Sequence, residues 1–111
     1  MEAKEVILKH IEEYNKCDIE KCLAYVSDDI EVTILPSNEV LFNSKDVLAG
    51  HLKAAFAEED RETVEVVKIM EFKNCVTTVE KKTKVISLTS RELLITYLVE
   101  NSKISKMWAI R

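Results

Sequence analysis

The chain has 111 residues, a length that fits one domain, which we place at residues 1–111. Hydrophobic residues make up 47% and charged residues 32%, the balance of a globular protein with its own core. Sixteen basic against twenty acidic residues leave a net charge of −4, which argues against nonspecific binding to nucleic acid.

Signals for membranes, export and metals are missing from the sequence. No apolar run approaches the roughly 20 residues of a membrane span, and the first ten residues are charged and helix-like. We therefore expect no membrane association, no signal peptide and a cytoplasmic location. Cys17, Cys22 and Cys75 fit no zinc-binding spacing and are predicted to be free thiols. We expect neither a metal nor a cofactor.

The first part of the chain predicts two helices. Apolar residues recur at three- and four-residue steps in Glu2–Asn15, with His10 on the same side. Asp18 is a typical N-cap for a short second helix, Ile19–Val26. We interpret Ser27–Asp29 as a turn, rather than as paired catalytic carboxylates or a metal site, because Asp favours turns.

A strand and a third helix follow. Alternation predicts a strand at Ile30–Ile34, which Pro36 ends because it lacks an N–H group. Val40–Phe42 is interpreted as a short returning strand. Ser44 is predicted to cap a helix from Lys45 to about Glu59. The apolar stripe of this helix consists of Val47, Leu48, His51, Leu52, Ala55 and Phe56.

β-Branched residues dominate the second half, which predicts four strands joined by hairpins. Lys73-Asn74 and Asn101-Ser102 are connections of hairpin length. The charge run Glu80–Lys84 predicts a solvated strand face, with a basic docking patch as the alternative. The predicted strands are Glu62–Phe72, Cys75–Ser87, Arg91–Glu100 and Lys103–Ile110.

The last two strands are apolar on both faces. Both alternating sets of Leu93–Val99 are largely apolar, and so are those of Met107–Ile110. Three helices can cover only one face of a five- or six-stranded sheet. A second subunit is the simplest cover for the other face. The alternative is that the strand ends lie under loops.

Several segments, in this order and spacing, resemble the nuclear transport factor 2-like superfamily. Ser44 stands where that pattern usually has glycine, and Asn101-Ser102 stands where it has Asp-Gly. Within the superfamily the chain is most similar to SnoaL-like and steroid delta-isomerase-like proteins. The segments that carry the resemblance are Tyr14–Lys21, Leu23–Val32, Val40–Leu48, Tyr97–Ile104 and Lys106–Arg111.

The resemblance implies an α+β fold in which a cone-shaped, curved, mixed or antiparallel sheet of five to six strands wraps around three helices from the N-terminal half. It implies a lipophilic pocket between the concave face of the sheet and the helices, and a homodimer through the convex face. The pocket residues expected are His10, Tyr14, Ile34, Phe56, Ile95, Tyr97 and Met107. The dimer residues expected are Leu94, Leu98, Trp108 and Ile110.

The catalytic groups of the steroid isomerases do not carry over onto this sequence. Their carboxylate base would fall at Ile34 or Leu35, and their donor carboxylic acid would fall near Ile95. Their donor tyrosine would fall at His10. Isoleucine can neither take nor give a proton, so that mechanism lacks its base.

His10 remains as a polar group on the pocket side of the first helix. A neutral imidazole there is either bonded to a structural partner or available as an acid or base near pH 7. His51 lies on the inner stripe of the third helix and would face His10 if the fold brings the two helices to one pocket.

Three functional hypotheses follow. The favoured one is a SnoaL-like protein that binds a small hydrophobic molecule without the isomerase carboxylates. The second is a noncatalytic homodimerisation or accessory module. The third is an isomerase, cyclase or dehydratase that uses His10 as acid or base. Fold alone cannot choose among them, because one fold supports many activities.

Overall fold

A computed structural model describes all residues, 1–111, and contains three helices and six strands. The strands form one sheet in the order β2-β1-β6-β5-β4-β3, in which β1 and β6 are parallel and all other neighbours are antiparallel. The elements are α1 Ala3–Asn15, α2 Ile19–Leu23, β1 Val26–Ile34, β2 Glu39–Phe42, α3 Lys45–Ala57, β3 Glu62–Phe72, β4 Cys75–Lys84, β5 Ser90–Glu100 and β6 Lys103–Ile110. The predicted α+β fold with a curved mixed sheet is confirmed.

Side-chain caps start two of the helices at the predicted residues. Asp18 Oδ1 accepts a hydrogen bond of 3.0 Å from the backbone N–H of Lys21 and so begins α2. Ser44 Oγ accepts one of 3.2 Å from the backbone N–H of Val47 and begins α3. Such caps stabilise a helix by about 1 kcal/mol because they satisfy an N–H group that has no partner within the helix.

The boundary between α2 and β1 differs from the prediction. The helix ends at Leu23, and Val26 is already in β1, paired with Ile104 of β6 and fully buried. Ser27–Asp29 therefore lies within a strand and does not form a turn. The pairing of β1 with β6 is interrupted between Val26 and Glu31, so these turn-favouring residues occupy an irregular part of the strand with both aspartates in solvent.

The other ends differ by a few residues. Helix α3 stops at Ala57, before the predicted Glu59, and β4 stops at Lys84, before Ser87. The connection after β4 is held by Asp60, whose Oδ1 accepts hydrogen bonds of 2.8 and 3.2 Å from the backbone N–H groups of Ile86 and Ser87. Those N–H groups therefore bond a loop carboxylate instead of a neighbouring strand, and the strand ends earlier than its composition predicts.

Only one face of the sheet is covered by helices. Along β5 the residues Leu93, Ile95, Tyr97 and Val99 are buried, whereas the side chain of Leu94, on the opposite face, is 40% exposed. We call the face that meets the helices the inner face and the opposite, convex face the outer face. None of the three helices combines the length and the hydropathy needed to cross a bilayer.

Helix α1 is fastened to β3, an edge strand of the sheet, near both of its ends. The Asn15 amide donates from Nδ2 to the carbonyl of Val64 and accepts at Oδ1 from the N–H of Val64, both at 2.8 Å. At the other end the backbone N–H of Lys4 donates to Glu71 Oε2 at 2.8 Å. Both contacts are made to β3, so they hold α1 along this edge strand and antiparallel to it.

The substitution Asn15→Ala is expected to lower the free energy of unfolding by about 2 kcal/mol, because both backbone groups of Val64 lose their partner in a half-buried position. Urea denaturation monitored by circular dichroism measures the change. Asn43→Ala is the matched control, since Asn43 is exposed and its side chain makes no hydrogen bond, and it should change stability by less than about 0.5 kcal/mol. Equal effects of the two substitutions would contradict the fastening role.

Candidate ligand site

A cavity of about 220 Å³ lies between the inner face of the sheet and the helices. Its floor comes from β1, β5 and β6, its roof from α3; β2 adds two residues, and α1, β4 and the C-terminal position add one each. Ten of its fifteen lining residues are hydrophobic. The lining consists of His10, Val32, Ile34, Leu41, Phe42, Leu48, His51, Leu52, Lys82, Arg91, Leu93, Ile95, Met107, Ala109 and Arg111.

The floor of the cavity follows from strand register. Ile34 of β1 pairs with Ala109 of β6, which pairs with Ile95 of β5, so these three side chains form one row across the inner face. The small side chain in the middle of the row leaves space between two isoleucines. By the sequence resemblance, two of the three positions are those where a steroid isomerase would have its base and donor acid, and no aspartate or glutamate lines the cavity.

His10 is held in one orientation by a structural partner. Its Nδ1 lies 3.0 Å from the carbonyl oxygen of Cys22. A carbonyl can only accept, so Nδ1 carries the proton and the neutral ring leaves Nε2 as an acceptor with no protein partner. Burial lowers the pKa of His10 below its ordinary value, and the nearby Lys82 lowers it further, while the bond to Cys22 opposes the shift. The site thus presents a neutral imidazole that can accept a hydrogen bond or a proton.

His51 stands at the mouth of the cavity. It is exposed, and its ring packs against Phe42 with centroids 4.8 Å apart. The ring is partly buried by this contact, which lowers the pKa of His51, and Lys82 contributes in the same direction. The two histidines therefore line one cavity from two different helices, α1 and α3.

The residues of the charge run predicted on β4 have different roles: Glu80 is buried in the fold, and Lys82 lines the cavity. Glu80 is 2% exposed and is not on a solvated face; its Oε2 accepts hydrogen bonds from the hydroxyls of Thr78, at 2.5 Å, and Tyr97. Burial and the neighbouring Glu80 raise the pKa of Tyr97 well above its ordinary value. Lys82, two residues further on the same face, lines the cavity.

Of the seven residues predicted from the sequence to form a pocket, four line the cavity: His10, Ile34, Ile95 and Met107. Tyr14, Phe56 and Tyr97 do not. Tyr14 and Phe56 pack edge to face with ring centroids 5.1 Å apart and close the core beside the cavity. Tyr97 is buried in the core, where its hydroxyl donates a hydrogen bond to Glu80.

Two basic lining residues, Lys82 and Arg91, were missed in the sequence-based prediction. The position of Lys82 can be predicted from alternation: counting every second residue of β4 from the buried Val76 places Lys82 on the inner face. Arg91 is its direct partner across the β4–β5 pair, and this could be recognised only from the register of that hairpin. Arg91 also forms a bidentate pair with Glu62, with both nitrogen–oxygen distances 3.0 Å.

The four residues predicted for a dimer interface all belong to the outer face. Leu94 pairs with Ile110 across β5 and β6, and Trp108 pairs with Thr96. Leu98 and Trp108 are half-buried, whereas the side chain of Ile110 is 48% exposed. Leu94 and Ile110 are exposed, so the alternative considered for the apolar second face, that loops cover the strand ends, does not apply to them.

Comparison with known proteins identifies the fold. No family model matches the sequence, and no curated protein matches it significantly. An uncharacterised cystatin-fold protein from Novosphingobium aromaticivorans is 22% identical with a TM-score of 0.87, over 100% of this chain and 99% of that one. A nuclear transport factor 2-like protein of unknown function from Cytophaga hutchinsonii is 11% identical with a TM-score of 0.80, over 98% and 88% of the two chains.

A third solved structure, of a protein from Shewanella denitrificans named as a SnoaL-like polyketide cyclase, is 7% identical with a TM-score of 0.78, over 97% of this chain and 88% of that one. These likenesses show that the chain has the cone-shaped fold of the nuclear transport factor 2-like superfamily. The resemblance inferred from the sequence is confirmed at the level of fold. At such low identity the activities of these proteins do not transfer to this chain.

The neutral state of His10 gives a testable pH dependence. The chain has two histidines, so NMR titration of the ring protons can be assigned with His10→Asn and His51→Asn. The His10 signal is expected to titrate below pH 6.5, its ordinary value. Because the unfolded chain then binds the proton more tightly, the His10 contribution to stability is complete above about pH 6.5 and is lost as the pH falls towards the folded pKa. Titration of His10 at or above 6.5 would contradict its burial in the neutral form.

Proposed function

We propose that this protein binds a small hydrophobic molecule in the cavity between the sheet and the helices. The observation that carries the proposal is the 220 Å³ of space left among apolar side chains where the two layers meet. Protein interiors are close-packed, and spaces larger than a water molecule are few in a domain, so a space of this size over apolar side chains supports a binding function.

The size of the cavity limits the ligand. Sites for drug-sized molecules occupy about 300–1,000 Å³, and this cavity is smaller. A short chain or a compound of one or two rings fits it better than a larger polycyclic compound. An affinity in about the millimolar range or tighter is expected for a ligand with so few atoms.

Binding without a carboxylate-driven reaction is the function that the lining supports best. Ile34 and Ile95 make the floor apolar where an isomerase would need proton-transferring groups. His10 adds one acceptor, and we assign it no reaction. A reducing compartment such as the cytoplasm is part of the proposal, because Cys17, Cys22 and Cys75 are free thiols.

The substitution Ala109→Leu tests the cavity directly. Ala109 is buried in the centre of the floor, so a larger side chain there would occupy the space that the ligand needs. We expect wild type to bind members of a neutral panel of octanol, octanamide and indole, and Ala109→Leu to weaken binding at least tenfold. Chemical-shift titration by NMR measures both affinities.

The matched control is Ala54→Leu, which makes the same change on the exposed side of α3 and should leave affinity unchanged. Circular dichroism of both variants establishes that they are folded. Wild type that binds no member of the panel, or Ala109→Leu that binds as well as wild type, would refute the proposal.

A second candidate function, homodimerisation through the outer face, is supported by the exposure of apolar side chains on three of its strands. Met70 and Phe72 of β3 have exposed fractions of 68% and 70%, and Leu94 and Ile110 extend the surface onto β5 and β6. Large contiguous apolar surfaces are rare on monomers. A second copy that applies the same face would cover them with two-fold symmetry. Binding and dimerisation are compatible, because they use opposite faces of one sheet.

Leu94→Lys is expected to convert a dimer at micromolar concentration into a monomer, because it places a charge in the centre of the proposed interface. Sedimentation velocity of wild type and variant measures the change. Leu8→Lys is the matched control: Leu8 is also 40% exposed, but it lies on α1, on the helix side of the sheet. A monomeric wild type, or equal effects of the two substitutions, would exclude this interface.

A further inference from the structure

The cavity contains an unusual distribution of charge. Its charged lining residues are Lys82, Arg91 and Arg111, and no acidic residue lines it. The chain as a whole is acidic, with a net charge of −4. The charged residues of the cavity are therefore all positive although the chain has a net negative charge, and this difference needs a local explanation.

Two of these cations occupy directly opposite positions on neighbouring strands. Lys82 of β4 and Arg91 of β5 are cross-strand partners on the inner face. Like charges in this arrangement destabilise a sheet. Glu62 neutralises one of them through its bidentate contact with Arg91. The cost of the remaining positive charge is therefore concentrated on Lys82.

Lys82 has no anionic partner in the protein. None of the ion pairs within 4.0 Å includes it, and its ammonium makes no hydrogen bond. Its Nζ lies 5.6 Å from the centre of the Tyr14 ring, a contact that only partly replaces water. Burial lowers the pKa of Lys82 and Arg91 lowers it too, while Glu80 and Glu62, neither of which forms an ion pair with Lys82, oppose the shift. A half-buried ammonium without a partner is costly unless an anion joins it.

The groups around Lys82 indicate a ligand with one negative charge. Arg91 is already paired, and His10 is neutral and presents an acceptor rather than a charge. Arg111 is exposed to solvent, so Lys82 is the one half-buried cation of the lining without a partner, and beside an apolar floor it matches a carboxylate with an apolar tail better than a doubly charged phosphate.

We propose that the ligand is an apolar monocarboxylic acid, with its tail against Ile34, Ile95 and Ala109 and its carboxylate at Lys82 beside Arg91. This inference rests on the proposed hydrophobic-ligand function and narrows it to a chemical class. The carboxylate would pair with Lys82 in the way that Glu62 pairs with Arg91.

Octanoate and octanamide test the inference, because they have nearly the same shape and differ in charge at pH 7. We expect wild type to bind octanoate at least tenfold more tightly than octanamide by NMR titration, with the largest shifts at Lys82 and Arg91. Equal affinities would overturn the inference while leaving the hydrophobic pocket supported. Failure to bind either compound would overturn the inference, and failure to bind any member of the neutral panel as well would overturn both proposals.

Three variants locate the preference. Lys82→Met keeps the length of the side chain without its charge and should reduce the octanoate-to-octanamide ratio to about one, while Lys82→Arg should restore it. Lys81→Met is the matched control, since Lys81 is the next residue and lies on the outer face. A ratio that survives in Lys82→Met, or that Lys81→Met reduces as strongly, would overturn the assignment to Lys82. The wild-type ratio decides the ligand class even if Lys82→Met does not fold.

Discussion

The attachment of α1 to the edge of the sheet is the constraint on which the site depends. One amide side chain, that of Asn15, satisfies both backbone groups of Val64 on an edge strand, where they would otherwise be open to another chain. The same contact fixes α1, from whose middle His10 extends towards Cys22 and the cavity. With α1 held at β3 and α3 lying over β1, the helices leave a space between them instead of closing it.

The cavity has two chemically different sides, one beside β1 and the other beside β4, which lie apart across the sheet. At the β1 side, isoleucines and a small alanine form a floor with no hydrogen-bonding side chain. At the β4 side, Lys82 and Arg91 place two positive charges next to each other, and Glu62 balances one. An apolar end opposite a cationic end is a natural environment for an amphiphile, and the proposed ligand class follows from that polarity rather than from the fold.

Much of the fold could be predicted from the sequence because its signals are local. Asp18 and Ser44 cap helices through their own side chains, and the ends of β3 and β6 coincide with the limits of their alternation. Ser27–Asp29 was misinterpreted because the residues on either side of it, Val26 and Glu31, pair with β6, a distant segment, and so keep the aspartates in an irregular part of a strand.

The site was predicted less completely, for a related reason. His10, Ile34, Ile95 and Met107 lie on apolar faces that alternation reveals. Lys82 and Arg91 meet only through the register of a hairpin, and the removal of Tyr97 from the lining depends on its bond to Glu80. Cross-strand partners and buried polar bonds are properties of the assembled sheet, which a single sequence does not display.

The parallel pairing of β1 with β6 has a consequence for the order of assembly. Hairpin β1–β2 is made early in the sequence, yet its only other neighbour in the sheet is the last strand. On a ribosome it would wait, unpaired on that side, until nearly the whole chain had emerged. Loop closure over such a separation is slow compared with the formation of a local hairpin. Because Val32 and Ile34 belong to this late-joining hairpin, the cavity would be among the last parts of the molecule to close.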